Sequence, residues 1–302
     1  MKKNTIVVTG GAGFVGSNLI AKLLETTNYK IISVDNYSSG RKTNHIKNKR
    51  IRYINSHTRN IAFALKSKKK KIKTLFHFGE FARIYQSFLK MNQCIESNSI
   101  GTFEVFKLCL ENDIKLIYSA TSASLGNNGR DKNLSPYAFS KSKNLEFLEN
   151  LKTWYNLNYE VIYFYNVYGP NQISKGKMAT VIGLFEEAYK RNKAMTVVKP
   201  GSQTRRFTHI DDTIDICLLA WKKDKNLHYS ISSKKSYSVL EVAKLFSNKI
   251  KYLSSRPGER YASALTKMNL SNKVIRKFGK KSLKNYIIQF KIENIKKYKT
   301  KK

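Results

Sequence analysis

The amino-acid sequence predicts an α/β chain built on a doubly wound parallel sheet, and three observations carry that prediction. Short apolar runs alternate with helical stretches through most of the chain, a rhythm that needs right-handed crossovers and so gives parallel strands. A glycine-rich turn, TGGAGFVG, stands between the first apolar run and the first helical stretch. The rhythm loosens in the last third, where Pro-Gly pairs punctuate VVKPGSQ and SRPGER.

Taken in order, TIVVTG reads as the first strand because it is β-branched and apolar, and Gly13 to Leu24 follows as a helix. YKIISVDN, RIRYIN and IKTLFHF are three further runs of strand length. A long helical stretch spans about Gln93 to Glu111 and leads into the strand IKLIYSA. Pro136 to about Tyr155 is the next helix, and its apolar positions Phe139, Leu145, Leu148 and Leu151 serve either the core or a partner helix. YEVIYFYNV is the next strand, and LHYSIS another in the less regular last third. No internal repeat is present, and no Gly- or Pro-rich linker separates two independent domains.

The chain has 302 residues, 41% hydrophobic and 12% aromatic, enough for one large core or a large domain with a smaller one. No apolar run approaches the length of a membrane span, and the start passes from two lysines straight into NTIVVTG. A cytoplasmic protein is the expectation. Cys94, Cys109 and Cys217 are odd in number and widely spaced, which predicts core thiols rather than disulfides or a zinc site. Lys and Arg number 57 against 20 Asp and Glu, a net charge of +37. Such a surface attracts polyanions and steers anionic substrates. The lysines are scattered, however, and dense only in KSKKKKIK and the tail KIENIKKYKTKK, so solvated faces are favoured over a nucleic-acid or membrane surface.

In TGGAGFVG, Gly10, Gly13 and Gly16 let the backbone approach a pyrophosphate at a positive helix N-terminus, and Gly11, Gly13 and Gly16 satisfy the more general spacing. Asp35 ends the next strand 25 residues after Gly10, where a carboxylate accepts from the adenosine ribose and repels a 2′-phosphate. NAD is therefore favoured over NADP. Tyr137 and Lys141, in SPYAFSKSK, stand four residues apart on one helix face, an arrangement in which the ammonium stabilises a phenolate and makes it a general base. A hydroxyl partner should end the preceding strand, where YSATSAS offers Thr121, Ser122 and Ser124.

Together these residues resemble the extended short-chain dehydrogenase/reductases, and among them the nucleotide-sugar epimerases close to UDP-glucose 4-epimerase. The likeness runs through TGGAGFVGSNL, VDNYSSG, FHFGEFARIYQS, NSIGT, SPYAFSKS, YFYNVYGPNQ, GSQTRRFTHIDD and RPGE. It implies a Rossmann-type domain over 1–166, rejoined by 207–231, and a smaller C-terminal nucleotide-sugar-binding domain over 167–206 and 232–302. It implies NAD held by Gly10, Gly13, Phe14, Val15 and Gly16 at the turn, and by Asp35, Asn36, Ser39 and Gly40 at the ribose. His77, Phe78, Gly79 and Asn98 would also line the cofactor. Tyr137 would be the base, Lys141 its pKa partner and ribose contact, and Thr121 the hydroxyl that bonds the sugar O4. Asn166, Arg205, Arg256 and Glu259 would hold the sugar diphosphate and ribose of a UDP-hexose. Ser263 would stand where a small residue admits an N-acetyl group. A homodimer built on a four-helix bundle is the family's expected assembly.

Departures from the family pattern are specific. His57 replaces the usual adenine-contacting Asp, HFGE replaces HLAA and so introduces Glu80, Ala82 stands where a lysine is common, and Arg206 replaces an Asp. Related dehydratases and decarboxylases carry acids directly after the Ser/Thr, whereas Thr121 is followed by Ser122 and Ala123. The resemblance therefore implies 4-epimerisation through a transient 4-keto sugar. The alternatives are a dehydratase, decarboxylase or 4-reductase of the same fold, and a non-catalytic basic NAD-binding protein. His209, Asp211 and Asp212 look like a metal triad, but the helix that follows predicts a cap, and no metal is expected.

Overall fold

The computed structural model describes residues 3–123, 131–223, 225–233, 235–258 and 281–299. β1 (Thr5–Thr9), β2 (Lys30–Asp35), β3 (Ile51–Asn55), β4 (Ile72–His77), β5 (Lys115–Thr121) and β6 (Tyr159–Phe164) form one sheet with a later strand, β10 (His228–Ser230). Their order is β10-β6-β5-β4-β1-β2-β3, and every neighbouring pair is parallel. Chain direction across the sheet reverses beside β1, between β1 and β4. That reversal opens a crevice at the carboxyl ends of the strands, where sheets of this kind bind ligands.

Side-chain alternation along β1 shows how the layers are filled. Ile6 and Val8 face α1 (Phe14–Thr26), through Leu19, Ile20 and Leu23, and α8 (Ile210–Lys222), through Ile214 and Cys217. Val7 faces the other way, toward Val105 and Phe106 of α5 (Gly101–Glu111) and toward α6 (Pro136–Tyr155). Leu145, Leu148 and Leu151 of α6 join that second core, while Phe139 on the same helix is 46% exposed. Cys94, Cys109 and Cys217 are all buried, free thiols.

The boundaries of α6 follow from its capping. Ser135 accepts from the Ala138 N–H, Pro136 occupies the first turn, and Asn156 closes the helix in the left-handed conformation. Short α2 (Ile61–Ala64) precedes β4, α3 (Ile84–Leu89) follows it, and α4 (Met91–Ile95) runs through a π-helical turn, Glu96–Ile100, into α5. His209 caps α8 by accepting from the Asp211 N–H at 3.2 Å.

YEVIYFYNV divides between two sheets. β6 ends at Phe164, and β7 (Asn166–Tyr168) pairs instead with β9 (Thr204–His209), to which β11 (Ser236–Ser238) adds antiparallel. β8 (Met195–Val198) pairs with β12 (Ile250–Leu253). Around them α7 (Val181–Lys190), α9 (Val239–Phe246) and α10 (Leu283–Lys299) enclose a third core containing Phe185, Val197, Phe246 and Ile287. No helix among the described residues is long and apolar enough to cross a membrane.

Candidate active site

A cavity of about 490 Å³ runs along the carboxyl edge of the main sheet and continues between it and the smaller sheets. Its first wall is the turn after β1. Gly10 has φ +70°, and a Cβ there would lie 2.8 Å from the Phe78 carbonyl and the Gly79 nitrogen. A Cβ on Gly16 would meet the Gly10 oxygen at 2.2 Å, so α1 can dock against the turn only through a glycine. A Cβ on Gly13 would meet only the Gly10 oxygen, at 3.1 Å, and would otherwise fill space the cavity now occupies. No side chain caps α1. Its first N–H groups therefore suit a pyrophosphate, and Phe14, Val15 and Gly16 line the same wall.

A smaller cavity of about 60 Å³ adjoins the turn, lined by Asp35, Asn36, Ser39, Ser56, Thr58 and Ser97 among others. The Asp35 carboxylate accepts from Ala12 N–H at 2.9 Å and Tyr37 N–H at 2.8 Å. Burial pushes its carboxyl above the usual range, and those two N–H groups oppose the shift. A Cβ on Gly40 would come within 2.8 Å of that carboxylate, so the glycine leaves Asp35 its room. Phe78 and Gly79 reach this end of the site. His57 does not line either cavity. It accepts from the Arg59 N–H and meets Ser97 Oγ at 3.3 Å. These residues fit an adenine dinucleotide.

Two expected cofactor residues stand behind the cavity wall. His77 is fully buried between Thr9 Oγ1 at 2.7 Å and Thr102 Oγ1 at 3.0 Å, and burial holds its pKa well below the ordinary histidine value. Asn98 is fully buried too: it accepts from Phe81 N–H at 2.6 Å and donates to the Phe81 carbonyl at 3.0 Å and Ser140 Oγ at 3.2 Å. The π-helical turn brings Asn98 to the loop after β4, and Asn98 fastens that loop to α6.

Thr121, at the end of β5, and Tyr137, in the first turn of α6, both line the large cavity with Lys141. Ser87 Oγ accepts from the Tyr137 N–H at 3.2 Å, so α3 helps fix the start of α6. Lys141, expected as the pKa partner of Tyr137 and a ribose contact, is also held by groups within the protein. Lys141 is 4% exposed, and its ammonium donates to the Glu80 carboxylate, to the Ser119 carbonyl and, at 3.4 Å, to Tyr118 OH. An ammonium has three donors, and each has an acceptor here.

Glu80 is the centre of this buried cluster. Its carboxylate also accepts from Thr102 Oγ1 at 3.0 Å, Tyr118 OH at 3.2 Å and Asn144 Nδ2 at 3.4 Å. Burial pushes the Glu80 carboxyl up and the Lys141 ammonium down, each opposed by the partner's charge. The lysine's charge is thus compensated within the protein. The sequence marked Glu80 as a departure from the family pattern, but Tyr118, Asn144 and Thr102 were not among the expected site residues. Asn144 follows Lys141 by three residues on one helix, and that spacing was the available signal.

The far wall carries Asn166, Arg205 and Arg256. Asn166 Nδ2 donates to the Arg206 carbonyl at 2.9 Å, tying β7 to β9, and Arg256 stacks over the Tyr85 ring with its guanidinium 5.0 Å from the centroid. Glu259, Ser263 and Ser124 lie outside the described residues. Arg83, which the sequence reading passed over, also lines the cavity.

The epimerase model of the NAD dependent epimerase/dehydratase family matches residues 6–232. A putative UDP-glucose 4-epimerase of Methanocaldococcus jannaschii is 29% identical over 274 residues, covering 85% of this chain and 88% of its own. The ADP-L-glycero-D-manno-heptose-6-epimerase of Brachyspira hyodysenteriae is 30% identical over 255 residues, covering 79% of each. The solved UDP-glucose 4-epimerase of Thermotoga maritima, with UDP-glucose, matches the fold with a TM-score of 0.83 at 26% identity, over 97% of this chain and 99% of that one.

Proposed function

We propose that this chain, which belongs to the NAD dependent epimerase/dehydratase family, interconverts the C4 epimers of a UDP-hexose, either UDP-glucose and UDP-galactose or their N-acetyl counterparts. The family's cofactor is NAD, which when bound accepts hydride from the sugar C4 and returns it to the opposite face. The observation that carries the reading is the composition of one cavity. Thr121, Tyr137 and Lys141 stand on one wall with the glycine cradle, Asn166, Arg205 and Arg256 line the same cavity, and the residues after Thr121 are Ser122 and Ala123.

In this reading Tyr137 takes the proton of the C4 hydroxyl and gives it back, and Thr121 orients that hydroxyl. Arg205 and Arg256 hold the diphosphate through charge-assisted bonds. No acid beside Thr121 is available for dehydration, so the 4-keto sugar's remaining course is reduction on its other face. Lys141 holds the floor beneath Tyr137, with its charge moderated by Glu80. Ile100, Phe103 and Phe139 are exposed apolar groups around α5 and α6, and they support a homodimer through those helices.

The test is NMR of UDP-glucose and UDP-N-acetylglucosamine, each incubated with purified protein without added cofactor. The matching galacto-sugar is the expected product. No change in either sugar after NAD is added refutes the reading, and a dehydrated or decarboxylated product assigns the chain to the neighbouring chemistry of the family.

A further inference from the structure

Arg83 is a cation in the cavity with no counter-ion among the described residues. It follows β4, and its guanidinium donates to the Met178 carbonyl through Nε at 2.9 Å and Nη2 at 2.6 Å, and to the Ala82 carbonyl through Nη1 at 2.7 Å. Three of five N–H groups are thereby oriented by backbone oxygens, and one N–H on each of Nη1 and Nη2 remains. No carboxylate among the described residues forms an ion pair with it. Lys141, by contrast, is neutralised by Glu80. Among the described residues, Arg83 therefore brings to the cavity a positive charge that no carboxylate pairs.

Arg83 and Tyr137 line the same cavity, and Arg83 opens α3, whose Ser87 accepts from the Tyr137 N–H, so α3 begins beside the start of α6; burial lowers the guanidinium's pKa and the Tyr137 charge opposes that shift. Position then discriminates between possible anions. On a nucleotide hexose the diphosphate hangs from C1, across the ring from the C4 hydroxyl that Tyr137 addresses. Arg205 and Arg256 are available for the diphosphate. The anion that a hexose can offer beside C4 is a carboxylate on C5, as in a hexuronate.

We propose that Arg83 reads a carboxylate on the sugar, so that among UDP-hexoses the hexuronate is preferred and the neutral sugars named above are the weaker substrates. This rests on the reading that the cavity takes a nucleotide hexose. A guanidinium already aimed by the Met178 and Ala82 carbonyls grips a carboxylate with little further ordering. It selects against a neutral hydroxymethyl group by leaving a cation unpaired.

The test compares UDP-glucuronate with UDP-glucose on the NAD-loaded protein, by turnover in the wild type and by calorimetric binding to Tyr137→Phe. The expected result is a preference for the uronate of at least about tenfold in both measurements. Arg83→Gln should collapse the uronate-to-glucose ratio by about 10- to 100-fold, and Arg83→Lys should keep part of it. Equal losses on both sugars, or weakened NAD or UDP binding in Arg83→Gln, overturn the proposal in favour of a loop tie or a phosphate contact. Equal binding of the two sugars by the wild-type cavity also overturns it. Tight, Arg83-dependent uronate binding without a C4 epimer supports the carboxylate site while refuting 4-epimerisation.

Discussion

Glu80→Gln removes one negative charge from the buried cluster while keeping its shape. In the native protein that carboxylate touches the Lys141 ammonium and accepts from Thr102, Tyr118 and Asn144. Without it the Tyr137 phenol, one helical turn from Lys141, loses a nearby negative charge, and the phenolate becomes easier to form. One unit charge at about 6 to 10 Å, through an effective dielectric of about 20, is worth about 2 kcal/mol, or about 1 to 2 pH units. A general base works only when deprotonated, so its acid limb follows its pKa. The acid limb of kcat/KM should therefore move about 1 to 2 units toward lower pH in Glu80→Gln. The same change leaves Lys141 buried without its counter-charge, which costs about 3 to 5 kcal/mol of stability. The assay is the pH profile of UDP-sugar turnover, with melting temperature and NAD binding measured on the same samples. A limb that stays in place or moves alkaline, in a folded and NAD-bound variant, refutes the charge-compensation argument.

Tyr137→Phe should lower kcat by about 10² to 10⁴ while leaving the affinity for NAD within a few-fold, measured by single-turnover kinetics and by calorimetry; retained turnover would remove Tyr137 from the chemistry. Gly16→Ala puts a Cβ 2.2 Å from the Gly10 oxygen, so it should cost a few kcal/mol in urea unfolding, on the order of other backbone clashes, and abolish NAD binding. A variant that binds NAD normally would show that the turn yields. Acid should weaken the fold: burial lowers the pKa of His77, His209 and His228, so the unfolded chain takes up protons that the folded chain refuses. Stability is then full above about pH 6.5 and falls below it by up to about 1.4 kcal/mol per pH unit for each such group. Asp35, Glu80 and Glu186, whose carboxyls burial raises, oppose this as pH falls further. Urea midpoints at about pH 7.5 and 5.5 check the sign, and an unchanged slope in His77→Gln would place the loss elsewhere.

The last third of the chain shows why some elements escape a sequence reading. β8 and β12 have four residues each and β11 has three, all with half-buried or exposed positions among them. Alternation that short carries little signal, and each strand finds its partner far along the chain. α6 lay at the opposite extreme, since its start is written in Ser135 and Pro136 and its end in Asn156. Phe139 and Leu145 have the same apolar character in sequence, yet one faces out and the other joins the core. Only the packing of α6 against the sheet distinguishes them.

By itself the sequence determined the parallel sheet, the glycine turn against which α1 docks, Asp35 at the end of β2, and the placing of Tyr137 and Lys141 on one face of α6. Each is a local property, set by strand and helix periodicity or by the absence of a Cβ. The tertiary structure decided what those groups touch. It brought Glu80, which lies 61 residues from Lys141 in sequence, against that ammonium, withdrew His77 and Asn98 from the cavity surface, and left Arg83 lining the cavity with no counter-ion among the described residues. Charge compensation depends on distances through space, and these are fixed only when the loop after β4, α5 and α6 have packed together.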